Sequence, residues 1–236
     1  MELEIDIRKT LRSGKRSFHL DVRLLSSGQR IVIYGPSGSG KSLTLKAVAG
    51  LMRPDDGCIR LGGTTLFDSR AGVDLAPQAR KVGYLFQDYA LFPHLTVRQN
   101  IGFGLAGGWR NPSPGRHHEA VDYWLEAFKL EPMAHQFPDE LSGGQRQRTA
   151  LARALVAHPR ALLLDEPFAA LDPALRARMR SELDELQRRL EVPMVLITHD
   201  EDDVAAFGDH VSCLRDGRIV DPGMDCSEAL LHDTAD

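Results

Sequence analysis

The sequence predicts an α/β fold with an antiparallel β subdomain at its start and an inserted, mostly helical subdomain in its middle. Apolar and polar residues alternate in the opening segment, which is typical of half-buried antiparallel strands. Short buried strands then alternate with helices before residue 88 and after residue 158, whereas helical spacing dominates between these positions. We therefore expect a single domain over residues 1–236, with its core in 1–87 and 159–236 and a helical subdomain over about 88–158.

The segment before residue 88 contains the signals of two antiparallel strands and of one strand-loop-helix unit. The antiparallel strands are predicted at 3–7 and 18–24, with a bend at Ser13-Gly14 between them. A β-branched run at 30–34 is followed by a glycine-rich turn and then by helix formers over 42–51, so a strand, a loop and a helix follow one another. Further short strands are expected at 59–61 and 81–86.

The middle and the end of the chain contain amphipathic helices, two more buried strands and a hairpin. Asp172 followed by Pro173 predicts the start of a long helix whose apolar stripe covers one face of a sheet. That stripe consists of Leu175, Met179, Leu183, Leu186 and Leu190. Helices of the inserted subdomain are expected around Val121, Trp124, Leu125 and Phe128 and around Leu151 and Leu155. The remaining strands are expected at 161–165 and 193–198, and the hairpin at 210–214 and 218–220.

The charge balance of the chain disfavours a nucleic-acid partner. Lys and Arg number 29 against 33 Asp and Glu, which gives a net charge of −4, whereas proteins that neutralise a phosphate backbone are basic. The longest apolar runs are far shorter than the roughly 20 residues that span a bilayer. We therefore expect any association with a membrane to be peripheral and to depend on a partner.

A glycine-rich segment after the strand at 30–34 fits the pattern GxxxxGK[ST]. It comprises Gly35, Pro36, Ser37, Gly38, Ser39, Gly40, Lys41 and Ser42, with Leu43 next in the predicted helix. In such a loop, backbone N–H groups and a helix N-terminus surround a triphosphate, the lysine contacts its β- and γ-phosphates, and the hydroxyl ligates Mg²⁺. An ordinary glycine-rich turn without a ligand would not require the lysine and the serine. The motif therefore predicts a P-loop NTPase (RecA-like) core.

Two further segments can extend this site. The apolar strand at 161–165 ends in Asp165 and Glu166. Taken alone, these two residues fit an ordinary acidic turn. Beside a phosphate loop, Asp165 can reach Mg²⁺ and Glu166 can polarise an attacking water. The second segment is either a small loop before a helix or a second anion site at a helix N-terminus. It consists of Leu141, Ser142, Gly143, Gly144 and Gln145. A second half-site on one chain implies a partner that supplies its complement.

The order of the motifs resembles that of the ATP-binding-cassette (ABC) ATPases. The matching segments are the phosphate loop, Gln87 after the strand at 81–86, LSGGQ at 141–145, LLLDEP at 162–167, Ala170-Leu171-Asp172 and Thr198-His199-Asp200. The resemblance implies a head-to-tail dimer with a second ABC ATPase subunit, for which an identical copy is expected and a different cassette stays open. Each ATP then lies between the phosphate loop of one subunit and the 142–145 segment of the other.

The same resemblance implies a role for each matching side chain. Glu166 is the catalytic base, and His199 contacts the γ-phosphate and orients the water. Mg²⁺ is contacted by Ser42, Gln87 and Asp165. Asp172 communicates across the dimer.

Residues 80–97 are similar to the ATPase subunits of bacterial importers, especially those for molybdate and related oxyanions. In that class a short helix of the integral membrane permease docks near Gln87, so Tyr89, Phe92 and His94 are candidate docking residues, with ordinary subdomain packing as the alternative. The similarity also implies a periplasmic or surface solute-binding protein as an indirect partner. It implies a peripheral location on the cytoplasmic face of the cell membrane.

Two features depart from the family pattern. Molybdate-type ATPases often carry an additional C-terminal ligand-binding domain, and this sequence stops too soon after the final hairpin to contain one, so either a truncated chain or a simpler importer is expected. Many members stack adenine on an aromatic residue near the end of the first strand, but Thr10-Leu11-Arg12 contains none. Either the guanidinium of Arg12 or the ring of Phe18 is expected to take that place.

Three functions from different classes compete. The first is ATP hydrolysis that drives a membrane importer. The second is a soluble cassette ATPase that remodels nucleic acid or a protein assembly. The single cassette and the short insert of this chain disfavour it, because DNA-repair members of the family contain long coiled coils and translation-type members carry two cassettes. The third is a nucleotide-binding regulator without hydrolysis, which is disfavoured because a pure switch could lose the base, Glu166.

Overall fold

The computed structural model describes residues 1–14, 16–105, 111–112 and 117–220. The chain divides into two compact units: unit 1 contains Met1–Val82 and the chain from Pro193 onward, and unit 2 contains Gly83–Val192. The predicted α/β class is confirmed, since parallel and antiparallel strands occur together with helices. The expected limits of the helical subdomain, 88 and 158, stay a prediction.

The elements of the described chain are numbered from its start. The strands are β1 (Leu3–Ser13), β2 (Arg16–Ser26), β3 (Arg30–Tyr34), β4 (Asp56–Leu61), β5 (Thr64–Asp68), β6 (Val73–Asp74), β7 (Val82–Leu85), β8 (Ala161–Asp165), β9 (Met194–Thr198), β10 (His210–Arg215) and β11 (Arg218–Val220). The α-helices are α1 (Lys41–Ala49), α2 (Pro77–Arg80), α3 (Val97–Phe103), α4 (Glu119–Ala127), α5 (Gly143–Leu155), α6 (Pro173–Leu190) and α7 (Glu201–Phe207). Short 3-10 helices lie at Glu131–Met133 and Pro138–Glu140.

In unit 1 an antiparallel part of the sheet continues into a parallel part. The strands follow the order β6-β5-β4-β1-β2-β11-β10-β3-β9. β1 pairs antiparallel with β2 and β4, whereas β3 pairs parallel with β10 and β9. The first residues of β1 alternate between buried and half-buried, as in a sheet with one covered face, whereas every residue of β3 and β9 is buried. Continuous burial is expected of parallel strands that are covered on both faces.

Unit 2 contains β8, most of β7 and the helices α3 to α6. The predicted start of α6 is confirmed: the Asp172 carboxylate accepts a hydrogen bond from the Leu175 N–H at 3.0 Å, and Pro173 is the first helical residue. The middle of its apolar stripe is buried, whereas Leu175 and Leu190 at its two ends are half-buried.

Several short elements are absent from the sequence-based prediction. They are β5, β6, α2, α3 and α7, none longer than seven residues. Such segments are too short to establish a periodicity. The predicted helix after the phosphate loop ends earlier than expected, at Ala49, because Gly50 takes a left-handed conformation (φ 78°) that ends it. Among the described helices, none has the length and apolar character needed to cross a membrane.

Candidate active site

The phosphate loop of unit 1 joins β3 to α1 and folds around its own lysine. Lys41 is nearly buried, and its Nζ donates hydrogen bonds to the carbonyl oxygens of Gly35 and Pro36 at 2.7 and 2.8 Å. Gly35 cannot be replaced without backbone movement, since a Cβ there would lie 2.1 Å from the Leu214 carbonyl oxygen. Gly40 has a backbone φ of 105°, a conformation that residues with a side chain rarely adopt. The loop therefore holds a cation at the start of a helix, an arrangement suited to a phosphate group.

An aromatic side chain lies against this loop. A Cβ on Gly40 would be 3.2 Å from the ring of Phe18, which is half-buried on β2. Arg12, the alternative for stacking adenine, is exposed near the end of β1. Of the two, the structure places Phe18 beside Gly40 of the phosphate loop.

His199 follows β9 at the same edge of the sheet of unit 1. Thr198 is paired with Tyr34, so the residues after both strands leave the sheet together. Two hydrogen bonds of the Thr198 hydroxyl hold the turn that contains His199. Oγ1 donates to the Asp203 carboxylate at 2.7 Å and accepts from the Asp200 N–H at 3.0 Å. Unit 1 therefore places His199 and the phosphate loop at the carboxyl ends of adjacent parallel strands, where ligands of α/β proteins bind.

The carboxylates of unit 2 follow β8. Asp165 is buried, and its Oδ2 accepts a hydrogen bond from the Tyr84 hydroxyl of β7 at 2.8 Å. Burial, and then the charge of Asp165, raise the pKa of Tyr84 far above its usual value, so Tyr84 stays a donor. Glu166 has a left-handed backbone (φ 46°), which is uncommon for a residue with a side chain. Backbone strain of this kind clusters at functional sites.

The 141–145 segment of unit 2 forms the start of α5. The Ser142 hydroxyl accepts from the Gln145 N–H at 3.3 Å and the Gln145 side chain accepts from the Ser142 N–H at 2.7 Å, which is a capping box. Cβ atoms on Gly143 and Gly144 would lie 3.3 and 3.4 Å from the side chains of Leu171 and Leu175. This helix start is therefore packed closely against the start of α6, where Asp172 lies.

The segment after β7 contains the residues expected to meet a permease. Gln87 and His94 are exposed and Phe92 is half-buried, but Tyr89 is only 5% exposed. Burial favours the packing alternative for Tyr89. The side chains available for docking from this segment are Gln87, His94 and the exposed part of Phe92.

Arg80 is a positioning residue that no pattern in the sequence indicates. Its side chain is fully buried, and Nη1 donates to the carbonyl oxygens of Ala47 and Val48 in the last turn of α1 at 2.7 and 3.0 Å. Nε donates to the Leu75 carbonyl oxygen at 2.8 Å, and Nη2 pairs with Asp74 at 3.1 Å. Burial lowers the pKa of Arg80, and Asp74 opposes this effect. A cation is thus fixed at the negative end of the helix that begins at the phosphate loop.

Residues 21–169 match the family model described as ABC transporter. This chain belongs to the ABC transporter family. A solved dimeric ATP-binding cassette in a post-hydrolysis state, bound to ADP and Pi, is 30% identical, with a TM-score of 0.76 over 94% of this chain and 97% of that chain. The predicted P-loop NTPase fold is therefore confirmed.

Relatives within the ABC family differ in the solute that they import. A molybdenum import ATP-binding protein of Paramagnetospirillum magneticum is 43% identical over 98% of this chain and 61% of its own length. An Fe(3+) ions import ATP-binding protein of Pseudomonas fluorescens is 45% identical over 84% of this chain and 54% of its own length. This ABC chain thus spans little more than half the length of these relatives.

Proposed function

We propose that this chain is the ATP-hydrolysing subunit of a bacterial ABC importer and energises the uptake of a small solute. The observation that carries the proposal is that one chain contains two helix starts suited to bind a phosphate group, each formed by a different motif. In unit 1, α1 begins at Lys41, and in unit 2, α5 begins after Ser142. Two such starts are needed if each ATP is held by the phosphate loop of one subunit and the 142–145 segment of a second copy.

The proposed roles follow from the chemistry of each side chain. Lys41 neutralises the β- and γ-phosphates, Glu166 takes a proton from the attacking water, and His199 holds the γ-phosphate and orients that water. Leu171, the residue before Asp172, lies beside Gly143 of the 142–145 segment, and Asp172 is the proposed communication point between the two copies.

Mg²⁺ fits the donors that the chain offers. Ser42, Gln87 and Asp165 supply a hydroxyl, an amide oxygen and a carboxylate, which are the hard oxygen ligands that Mg²⁺ prefers. When bound, the ion neutralises charge on the phosphates. We propose these residues as its protein ligands.

The proposed partners are integral membrane permease subunits that dock near Gln87, Tyr89 and Phe92, where Gln87 and Phe92 offer exposed surface and the buried Tyr89 packs within the segment. Through them the chain would be held peripherally at the cytoplasmic face of the membrane, and a periplasmic or surface solute-binding protein would be an indirect partner. The proposed solute is molybdate or a related oxyanion. Support for it comes from the molybdenum import relative, whose similarity extends over 98% of this chain, whereas that of the iron import relative extends over 84%.

A pull-down from native membranes tests the proposal. The tagged chain is purified from detergent-solubilised membranes, and the co-purifying chains are identified by mass spectrometry. A polytopic membrane protein in stoichiometric amount is the expected result. If only soluble proteins co-purify, or if nucleic acid co-purifies and is released by salt, the result would contradict the importer and favour a soluble remodelling ATPase.

The solute is tested separately on the solute-binding protein that belongs to the same complex. Calorimetric titration with molybdate, tungstate, sulfate and ferric iron is expected to show binding of an oxyanion. Binding of ferric iron alone would leave the importer proposal intact and contradict the oxyanion.

A further inference from the structure

A strained turn follows β7 in unit 2. Tyr89 and Ala90 both have left-handed backbones, with φ of 63° and 42°, although neither is glycine. The Tyr89 N–H donates to the Phe86 carbonyl oxygen at 2.9 Å, which closes the turn. Consecutive left-handed residues with side chains persist only where surrounding contacts hold them.

The contact that holds this turn comes from the C-terminal part of α5. Arg153 Nη1 donates to the Ala90 carbonyl oxygen and Nη2 donates to the Tyr89 carbonyl oxygen, both at 2.7 Å. The same guanidinium lies 5.6 Å from the centre of the Phe92 ring. The two donors of a planar fork thus bind the carbonyl groups of the two strained residues, a geometry that lysine cannot reproduce.

A second arginine of α5, Arg146, contacts the start of the 141–145 segment. Arg146 precedes Arg153 by about two helical turns, so the two side chains share one face of the helix. Its charge acts on the buried Tyr89 hydroxyl, where it opposes the rise in pKa that burial causes. Arg146 Nη1 also donates to the Leu141 carbonyl oxygen at 2.8 Å. The helix α5 therefore contacts the strained turn through Arg153 and contacts Leu141, the residue that opens the 141–145 segment, through Arg146.

We propose that Arg153 is a positioning residue that couples the 86–92 turn to the 141–145 segment through the rigid helix α5. The helix has 13 residues, with the 141–145 segment at its start and Arg153 near its end. A force on the exposed rim of the turn, at Gln87 or Asp88, is transmitted to α5 through the Arg153 fork. The opposite end of α5 then shifts the Ser142 side chain. The inference rests on the proposed role of Ser142 in holding the ATP of a second copy.

The first test measures amide hydrogen exchange in the isolated chain. Arg153→Met removes the fork, and Arg153→Lys keeps the charge with one donor group. Both are expected to speed exchange about tenfold at 89–92 and also at 141–146, without a change over α1 in unit 1. Arg188→Met is the matched control, because Arg188 is 70% exposed on α6 of the same unit and pairs with Asp184 one helical turn away. Faster exchange confined to 89–92 would overturn the coupling and leave a local structural role.

The second test measures ATP-driven dimerisation in a Glu166→Gln background, where slow hydrolysis lets the ATP state persist. We expect Arg153→Met to weaken the dimer about tenfold, while ATP binding by the monomer, followed by equilibrium dialysis, stays unchanged. A variant that dimerises like its parent overturns the proposal. Equal losses of ATP binding and dimerisation would also overturn it, because they indicate general damage. If the Glu166→Gln parent itself fails to dimerise with ATP, the proposed dimer is wrong; the exchange test still decides whether turn and segment are coupled.

Discussion

Glu166 is the residue on which the proposed chemistry depends most. It directly follows the buried strand β8, and its backbone is left-handed. Glu166→Gln keeps the size of the side chain but cannot accept a proton, so we expect ATP turnover to fall by a factor of about 10² to 10⁴ with ATP binding intact. A phosphate-release assay and equilibrium dialysis measure the two quantities. Glu185→Gln on the exposed surface of α6 is the control, and unchanged hydrolysis in Glu166→Gln would remove Glu166 as the base.

Phe18 is the proposed adenine-stacking residue. Its ring lies beside Gly40 of the phosphate loop, and a base stacked on an aromatic ring gains about 1–3 kcal/mol. Phe18→Ala should therefore raise the KM for ATP by roughly tenfold while kcat changes little, since the base does not react. Arg12→Ala serves as the comparison, because it removes the alternative side chain. A larger rise in KM for Arg12→Ala than for Phe18→Ala would assign stacking to the guanidinium.

Local sequence signals were sufficient to predict a helix or strand where the segment contains its own determinants. The β-branched run of β3, the glycine loop and the helix formers of α1 lie next to one another in sequence, and so the strand-loop-helix unit was predictable. The N-cap of α6 at Asp172 was predictable for the same reason. Arg80 and Arg153 were not, because arginine is normally a surface residue and no local pattern shows that its donors face backbone carbonyl groups. Only tertiary packing reveals those contacts.

The C-terminal end of α1 provides a test of one such contact. Arg80→Met removes the donors to Ala47 and Val48 and leaves their carbonyl oxygens buried, so we expect a loss of about 3 kcal/mol in the free energy of unfolding. Urea denaturation measures it. Arg53→Met is the matched control, because Arg53 pairs with the same Asp74 but is 76% exposed, and its loss should stay below about 1 kcal/mol. Equal losses would mean that the ion pair, rather than the helix carbonyl groups, accounts for the effect of Arg80.

The proposed functional residues are divided between the two units. Unit 1 contains the phosphate loop and His199, and unit 2 contains Gln87, the 141–145 segment and the carboxylates after β8. The sequence placed these motifs on the correct elements. It implied their assembly across two copies only through family resemblance, because a contact between copies leaves no periodic signal in one chain. The proposed dimer is therefore the feature that most needs an experiment.

Mixing two inactive variants tests whether the phosphate loop and the 141–145 segment act on one ATP from different chains. Lys41→Ala removes the phosphate cation. Ser142→Asp keeps a good N-cap for α5 but places a carboxylate where the proposed dimer holds phosphate. Each variant alone should be inactive, whereas an equimolar mixture should recover up to about a quarter of the parent activity, since half of the dimers are mixed and each has one intact site. Ser142→Thr, which keeps the hydroxyl, is the control for folding. If native mass spectrometry shows mixed dimers and the mixture stays inactive, the two motifs do not form a shared site and the proposed arrangement is wrong.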